Sequence, residues 1–412
     1  MKAFFTSLLL LATHVAFAQS IDLLIKGGHV IDPRNNRNGL MDVAVKDGKV
    51  WQVAADIPTA DAKQVVDAKG LYVVPGLIDI HGHHFFGTQE GAYLSNSYTA
   101  LPPDGFTFRA GVTTVVDAGG AGWRNFRTFK EQAIDHSQTR VLGFINIVGA
   151  GMSGGATEQH LGDMDGKLTA MVARQFKDYV VGVKVAHYAG PEWTPVEQAV
   201  HAGNLANIPV MIDFGGHTPP LSLETLLMEK LRPGDILTHC YAHVNGREPV
   251  VGADGKLQAF VLPAQRRGII FDVGHGGGSF LWAQAIPAVQ QGFKPNSIST
   301  DLHTGSMNAG MKDMINVMSK MLNIGMNLQE VIAASTDHPA RIIQRSELGH
   351  LSTGAEADIA VLRLENGSFG YVDSQGWKHQ GNQKLTCEMT LRAGRVVWDL
   401  NGISRPAYAP QK

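Results

Sequence analysis

The sequence predicts an α/β chain: a (β/α)8 TIM-like barrel carrying a small β-sandwich domain built from both chain ends. Three observations lead there. Eight short runs rich in Val, Ile and Leu recur between residues 75 and 347 with helical stretches between them, the pattern of a parallel sheet covered on both faces. The flanking segments carry short strands and tight turns instead. Nine of the 17 histidines fall at or just past the C-terminal ends of the apolar runs, the rim on which barrel enzymes build their sites.

Met1-Lys2 precedes an apolar run to Phe17, and Ala16-Phe17-Ala18 fits a small-x-small cleavage pattern. A signal peptide is therefore expected over 1–18, cleaved after Ala18, which implies a periplasmic or secreted protein. The run is too short for comfortable membrane spanning, and nothing later in the chain is long enough to span after cleavage. Residues 19–74 form the first part of the β-domain, with strands at Ile21–Lys26, Asp42–Val45, Lys49–Val53 and Leu71–Val74. Asp47-Gly48 between two of them is a strong hairpin signal. Residues 348–412 form its second part, with strands at Asp358–Leu364, Leu385–Leu391 and Arg395–Trp398, the last pair turned by Ala393-Gly394.

The barrel domain occupies 75–347. Its strands are read at Leu77–Ile80, Thr113–Asp117, Val141–Val148, Val180–Val185, Val210–Phe214, Ile236–Leu237, Ile269–Val273 and Ile298–Thr300. An open doubly wound sheet is the alternative, disfavoured by the count of eight. Cys240 and Cys387 fall in different domains and are expected to be unpaired.

Composition removes several function classes. Of 412 residues, 44% are hydrophobic, which excludes global disorder. Lys and Arg number 35 against 37 Asp and Glu, with no block of like charge, so a nucleic-acid partner is not expected. Two cysteines cannot build a zinc ribbon or an iron–sulfur site. The histidines, at about twice the usual share, are the feature to explain.

His81-Gly82-His83 ends the first barrel strand. Residues two apart on a strand point the same way, so both imidazoles can reach one metal ion. His84 points the other way. Lys184 lies inside the apolar run Val180–Val185, where a free ammonium is costly. It is either an ion-paired or snorkelling lysine, or an amine carbamylated by CO2 into an anion able to bridge two metals; beside the other ligands the carbamate is preferred. His217 and His239 each close a strand as ligands or as satisfied core histidines. Asp301 follows the last strand, where one carboxylate oxygen can bind metal while the other shuttles a proton. Together His81, His83, Lys184, His217, His239 and Asp301 supply a site for two divalent metals.

Longer strings extend this pattern: Val74-Pro75-Gly76-Leu77-Ile78-Asp79-Ile80-His81-Gly82-His83, Gly182-Val183-Lys184-Val185, Phe271-Asp272-Val273-Gly274-His275-Gly276, Ile298-Ser299-Thr300-Asp301-Leu302-His303, and Gly349-His350-Leu351 with Gly354-Ala355-Glu356-Ala357-Asp358. On them the sequence resembles the amidohydrolase superfamily of metal-dependent hydrolases, within it the amidohydrolase/deacetylase group, over essentially the whole mature chain. The resemblance implies that the six residues carry two Zn2+ ions with Lys184 carbamylated. It further implies that a bridging hydroxide cleaves an ester or amide bond and that Asp301 is the catalytic residue taking its proton. The substrate class implied is a small acylated hydroxy or amino acid. A cyclic amidase of the dihydroorotase or hydantoinase kind shares these ligands and is the alternative reading.

His275 and His303 are substrate or oxyanion contacts by position, or supports of the ligands. Arg124 is the best-placed cation for a substrate carboxylate, or an ordinary surface arginine. Tyr188, in the bulky stretch Ala186–Trp193, is read as facing the substrate, and the long loop Phe85–Phe108 as a lid. Three further patterns are disfavoured. Gly149–Gly154 spells a dinucleotide motif but arrives at the third strand. Gly151–Gly155 and His275–Gly278 spell serine-esterase motifs in the wrong order. A non-catalytic scaffold would have lost ligands that are all present. The partner expected is a small molecule, with homo-oligomerisation left open.

Overall fold

The computed structural model describes residues 21–87, 100–213, 220–244 and 246–409. The signal segment 1–18, His217 and the middle of the Phe85–Phe108 loop lie outside the described residues.

One sheet joins the two chain ends. Its N-terminal strands are β1 (Leu23–Asp32), β2 (Arg37–Lys46), β3 (Lys49–Ala54), β4 (Val65–Asp67) and β5 (Tyr72–Pro75). Asp47 and Gly48 have φ of 50° and 74°, the two left-handed residues of a type I′ hairpin turn, and β2 pairs β3 antiparallel through Lys46 and Lys49. A bulge at Lys26-Gly27 divides β1, whose first half pairs β4 and whose second half pairs β5. Inward-facing Leu23, Ile25, Val43, Val45 and Val73 share a buried core with Ile359, Val361, Met389 and Leu391 from the other end.

The second sheet is parallel and curled. It runs through β6 (Leu77–Gly82), β7 (Val112–Gly122), β8 (Arg140–Asn146), β9 (Val180–Val185), β10 (Val210–Ile212), β11 (Ile236–Leu237) and β12 (Ile270–Phe271), each paired with the next. Nearly every residue of these strands is buried, as helices such as Gly166–Gln175 and Thr194–Ala206 require of the sheet they cover.

The eighth expected strand, Ile298–Thr300, is not a regular strand. Residues 297–302 instead make single parallel bridges to both edges, Ser297 with Asp272 and Leu302 with Gly82. Asp301 N–H donates to His81 O (2.7 Å) and His83 N–H to Leu302 O (2.9 Å) on one side, and Gly276 N–H donates to Thr300 O (2.9 Å) on the other. Side chains displace the regular ladder: Ser299 Oγ accepts from Gly274 N–H, and Asp301 is left-handed at φ 51°.

The chain returns to the first sheet through β13 (Ile359–Val372), β14 (Lys378–Arg392) and β15 (Arg395–Asp399). The hairpin β13–β14 is about twice as long as its hydrophobic pattern predicts, because its outer half is largely polar and is held by backbone pairing, by buried Tyr371 and by hydrogen bonds from Lys320 and Asn323. Arg140 ties the two sheets together, donating to Thr114 Oγ1 (2.8 Å) and Asp358 Oδ2 (2.7 Å). Cys240 and Cys387 are free and buried. Among the described residues no helix is long and apolar enough to cross a membrane.

Candidate metal centre

The pairing of β6 with β7 shifts register between Asp79 and Gly82, and His81 and His83 stand at and just past the end of this strand. Thr300 donates to Asp79 through N–H (3.0 Å) and Oγ1 (2.5 Å), and burial pushes the Asp79 carboxyl up to about 7. His81 sits at the middle of the group. Its Nε2 lies 3.2 Å from Lys184 Nζ and 3.6 Å from Asp301 Oδ1. Ligand atoms of His81, His239 and Asp301 all lie within 4.8 Å of one another. His83 Nε2 is 2.8 Å from Asp301 Oδ1. Five of the six sequence-derived metal residues are thus gathered from four separated stretches of chain; the sixth, His217, is outside the described residues.

Two of the histidines are held from behind. His81 Nδ1 faces Thr238 Oγ1 at 2.8 Å, and that hydroxyl donates to Asp272 Oδ2 at 2.8 Å. Asp272 is fully buried and also accepts from Ser297 (2.6 Å) and Ser299 (2.7 Å). His239 Nδ1 faces Gly274 O at 2.5 Å. Each hydrogen bond fixes which ring nitrogen is free to bind, the usual support of metal-bound histidines. Thr238→Val removes the hydroxyl between His81 and Asp272 at nearly constant volume. It is expected to weaken metal affinity about 10- to 100-fold, read by competition with a chromophoric chelator; an unchanged affinity would show that Thr238 does not orient His81.

Two glycines make the room. A Cβ on Gly119 (φ 90°) would lie 2.6 Å from Lys184 Cγ, and one on Gly276 (φ 56°) would lie 2.4 Å from Asp301 Oδ2.

The electrostatics separate roles. Burial and then the Lys184 charge push His81 down to about 3, so its imidazole is neutral and has a lone pair to offer. Burial opposes ionisation of Asp301, but His81 and the His83 hydrogen bond hold its carboxyl well below the usual carboxylate range. Asp213, one residue past β10, was not singled out by sequence. Its Oδ2 lies 3.2 Å from His239 Nε2 and 3.7 Å from Lys184 Nζ. Against its burial, His239, Lys184 and His187 hold Asp213 well below the usual range too. The signal that could have found it is the one that found Lys184, an ionisable residue continuing an apolar run.

The expected substrate contacts fare unevenly. His303 sits at the rim, its Nε2 3.8 Å from Asp301 Oδ2. His275 is completely buried and stacked on Phe280, with Nδ1 at Gly276 O (2.9 Å) and Nε2 at Lys320 Nζ (2.6 Å). Both ring nitrogens are taken, so of its two readings the supporting one fits and substrate contact does not. Arg124 stacks on Trp123 and pairs with Asp163 through Nε (3.0 Å) and Nη2. Tyr188 is buried and donates its hydroxyl to Glu192; burial and that carboxylate push it up to about 12. His187, beside it, is half exposed and left-handed (φ 55°), with Nδ1 2.8 Å from Glu158 Oε2. That hydrogen bond, against burial, raises its pKa to about 9. After the glycines Gly149–Gly154 the chain makes only the short 3-10 turn Gly155–Gln159, which offers no helix end to a pyrophosphate.

Comparison with known proteins agrees with this chemistry. The model of the amidohydrolase family matches residues 282–396. A protein of Brucella anthropi named deacetylase is 32% identical over 340 residues, 80% of this chain and 81% of that one. A deacetylase of Enterococcus faecalis is 31% identical, covering 91% of this chain and 98% of its own. A dihydroorotase of Acetivibrio thermocellus is 46% identical, but over 61 residues only, 15% of this chain and 14% of its own. Among solved structures, an adenine deaminase superposes with a TM-score of 0.81 at 29% identity, covering 92% of this chain and all of that one.

Proposed function

The chain belongs to the amidohydrolase superfamily, and from that premise we propose that it is a metal-dependent deacetylase. It hydrolyses the ester or amide bond of a small O-acylated hydroxy acid or N-acylated amino acid. The observation that carries this reading is the gathering of neutral His81, ionised Asp301, His83, His239 and Lys184 at one end of the parallel sheet. Relatives named deacetylase that share most of the chain's length support it, whereas the dihydroorotase likeness is confined to a short stretch.

The donor set fits a pair of divalent cations. It holds imidazole nitrogens, a carboxylate and a buried lysine whose neutral amine would add CO2 and release a proton to give a carbamate anion able to bind metal. Imidazole and carboxylate together suit Zn2+. Bound there, such ions polarise a carbonyl and make water acidic near neutral pH. The remaining work is done by side chains. Asp301, ionised and open to the rim, accepts the proton of the attacking water and hands it to the leaving alkoxide or amine. His83 Nε2 and the Asp301 carboxylate stand side by side as donors of the centre, and His303 borders the path of the leaving group. His187, half exposed and within 3.7 Å of Asp213 through Nε2, lies nearer the centre than Arg124 and is the cation proposed to face a substrate carboxylate.

The bonds from residues 297–302 to both edges of the curled sheet support a closed (β/α)8 barrel over 75–347. The bulge that splits β1 between two neighbours is the kind of corner at which a sheet folds into a sandwich, here assembled from 19–74 and 348–412. A signal peptide over 1–18 places the mature protein in the periplasm or outside the cell. N-terminal sequencing of the exported protein is expected to begin at Gln19; a mature chain that keeps Met1 would refute export by cleavage.

Zinc-loaded mature protein, assayed against acetyl esters, N-acyl D- and L-amino acids and cyclic ureides, tests the function. Release of a carboxylic acid from an acylated acid is the expected result. Ring opening of a ureide as the sole activity would replace this reading by the cyclic-amidase one.

A further inference from the structure

We infer that Asp213 is a metal ligand, so that the fifth barrel strand contributes a carboxylate oxygen to the centre. This rests on the metal-dependent reading above and specifies its donor set. Residues two apart on a strand share a side. Met211 on β10 brings its Sδ to 3.8 Å from Lys184 Nζ, so the face of β10 that carries Met211 is the face lining the centre. Asp213 is the next residue on that face, immediately past the strand end, where its N–H donates to Val185 O at 2.9 Å. Register places Met211 beside Lys184, so Asp213 stands one step further toward the rim than the lysine.

The geometry on the two sides of Lys184 is matched. His81 Nε2 lies 3.2 Å from Nζ on one side, and Asp213 Oδ2 lies 3.7 Å from it on the other. His239 Nε2 is 3.2 Å from that same Asp213 oxygen. A carbamate formed on Nζ is an anion. With it in place, Asp213 is a second anion in a buried site and is stable there only beside cations. A metal ion shared by Asp213, His239 and the carbamate meets that need with donors already in place. The competing account makes Asp213 a counter-ion of an unmodified Lys184 ammonium, and the two accounts predict different metal contents.

The test uses full-length mature protein reconstituted with Zn2+ and dialysed, with metal per chain measured by mass spectrometry. Wild type is expected to hold two ions, Asp213→Asn one, His217→Asn two, and Asp213→His two again. Asp213→Asn retaining two ions, or His217→Asn losing one, overturns the inference. Wild type that binds no metal overturns the metal-dependent reading itself, so the two failures are distinguishable. Wild-type protein also reports without any substitution. In the Co2+-loaded form, hyperfine-shifted exchangeable imidazole N–H resonances are expected from three histidines, His81, His83 and His239. A fourth such resonance that disappears in His217→Asn would assign the ligand to His217 instead.

Discussion

Asp301→Asn is expected to lower kcat by about 10²- to 10⁴-fold, the span that a positioned general acid–base contributes. The amide is nearly isosteric, can still offer an oxygen to a metal, and leaves the backbone bond from residue 301 to His81 O intact. What it removes is proton affinity at an ionised carboxylate that lies beside His81, His83 and the rim residue His303. KM is therefore expected to move much less than kcat, and metal content to stay at the wild-type level. Equal losses of metal and activity would mean that Asp301 acts as a ligand alone. A variant with nearly wild-type kcat would remove Asp301 from the chemistry altogether.

Lys184→Ala is expected to have an effect of similar size by a different route. Lys184 has no exposed surface, and its Nζ is flanked by His81 and Asp213. Truncation deletes the group that stands between His81 and Asp213 and leaves Asp213 facing a cavity. Loss of metal should follow, with activity reduced about 10³-fold or more, several kcal/mol of transition-state stabilisation. Because the cavity is the size of a small carboxylate, millimolar acetate or propionate is expected to restore part of both metal content and activity. Lys184→Met, which fills the space without an acceptor, should not respond to the added acid. Rescue of the methionine variant, or full metal content in the alanine variant without acid, would exclude a bridging carbamate.

Much of this site is legible in the sequence because its signals are local. His81 and His83 are separated by one residue on a strand, and Lys184 interrupts an otherwise apolar run, so one short stretch betrays each. Asp213 carries the same kind of signal but was hidden by chemistry: four residues on, His217 offered a residue type more usual in metal sites. The fate of His275 could not be read at all. The lysine that takes its Nε2 comes from the helix Met314–Asn323, and that lysine is held in turn by Val372 O on β13. The pairing of Arg124 was hidden for the same reason, since its partner Asp163 lies beyond the next strand. Strand positions were legible where side chains alternate or run apolar. The outer half of the β13–β14 hairpin and the irregular 297–302 segment escaped because backbone pairing and side-chain hydrogen bonds from distant residues, more than a local hydrophobic pattern, hold them.

The central claim is that this chain hydrolyses acyl bonds with metal held by the His81, His83, Lys184, His239 and Asp301 group. The most direct measurement strips the mature protein with a chelator and titrates Zn2+ back in bicarbonate buffer while following acid release from an acylated substrate. Activity absent in the stripped protein and rising to a plateau at about two ions per chain is the predicted result. Undiminished hydrolysis by fully stripped protein would contradict the account.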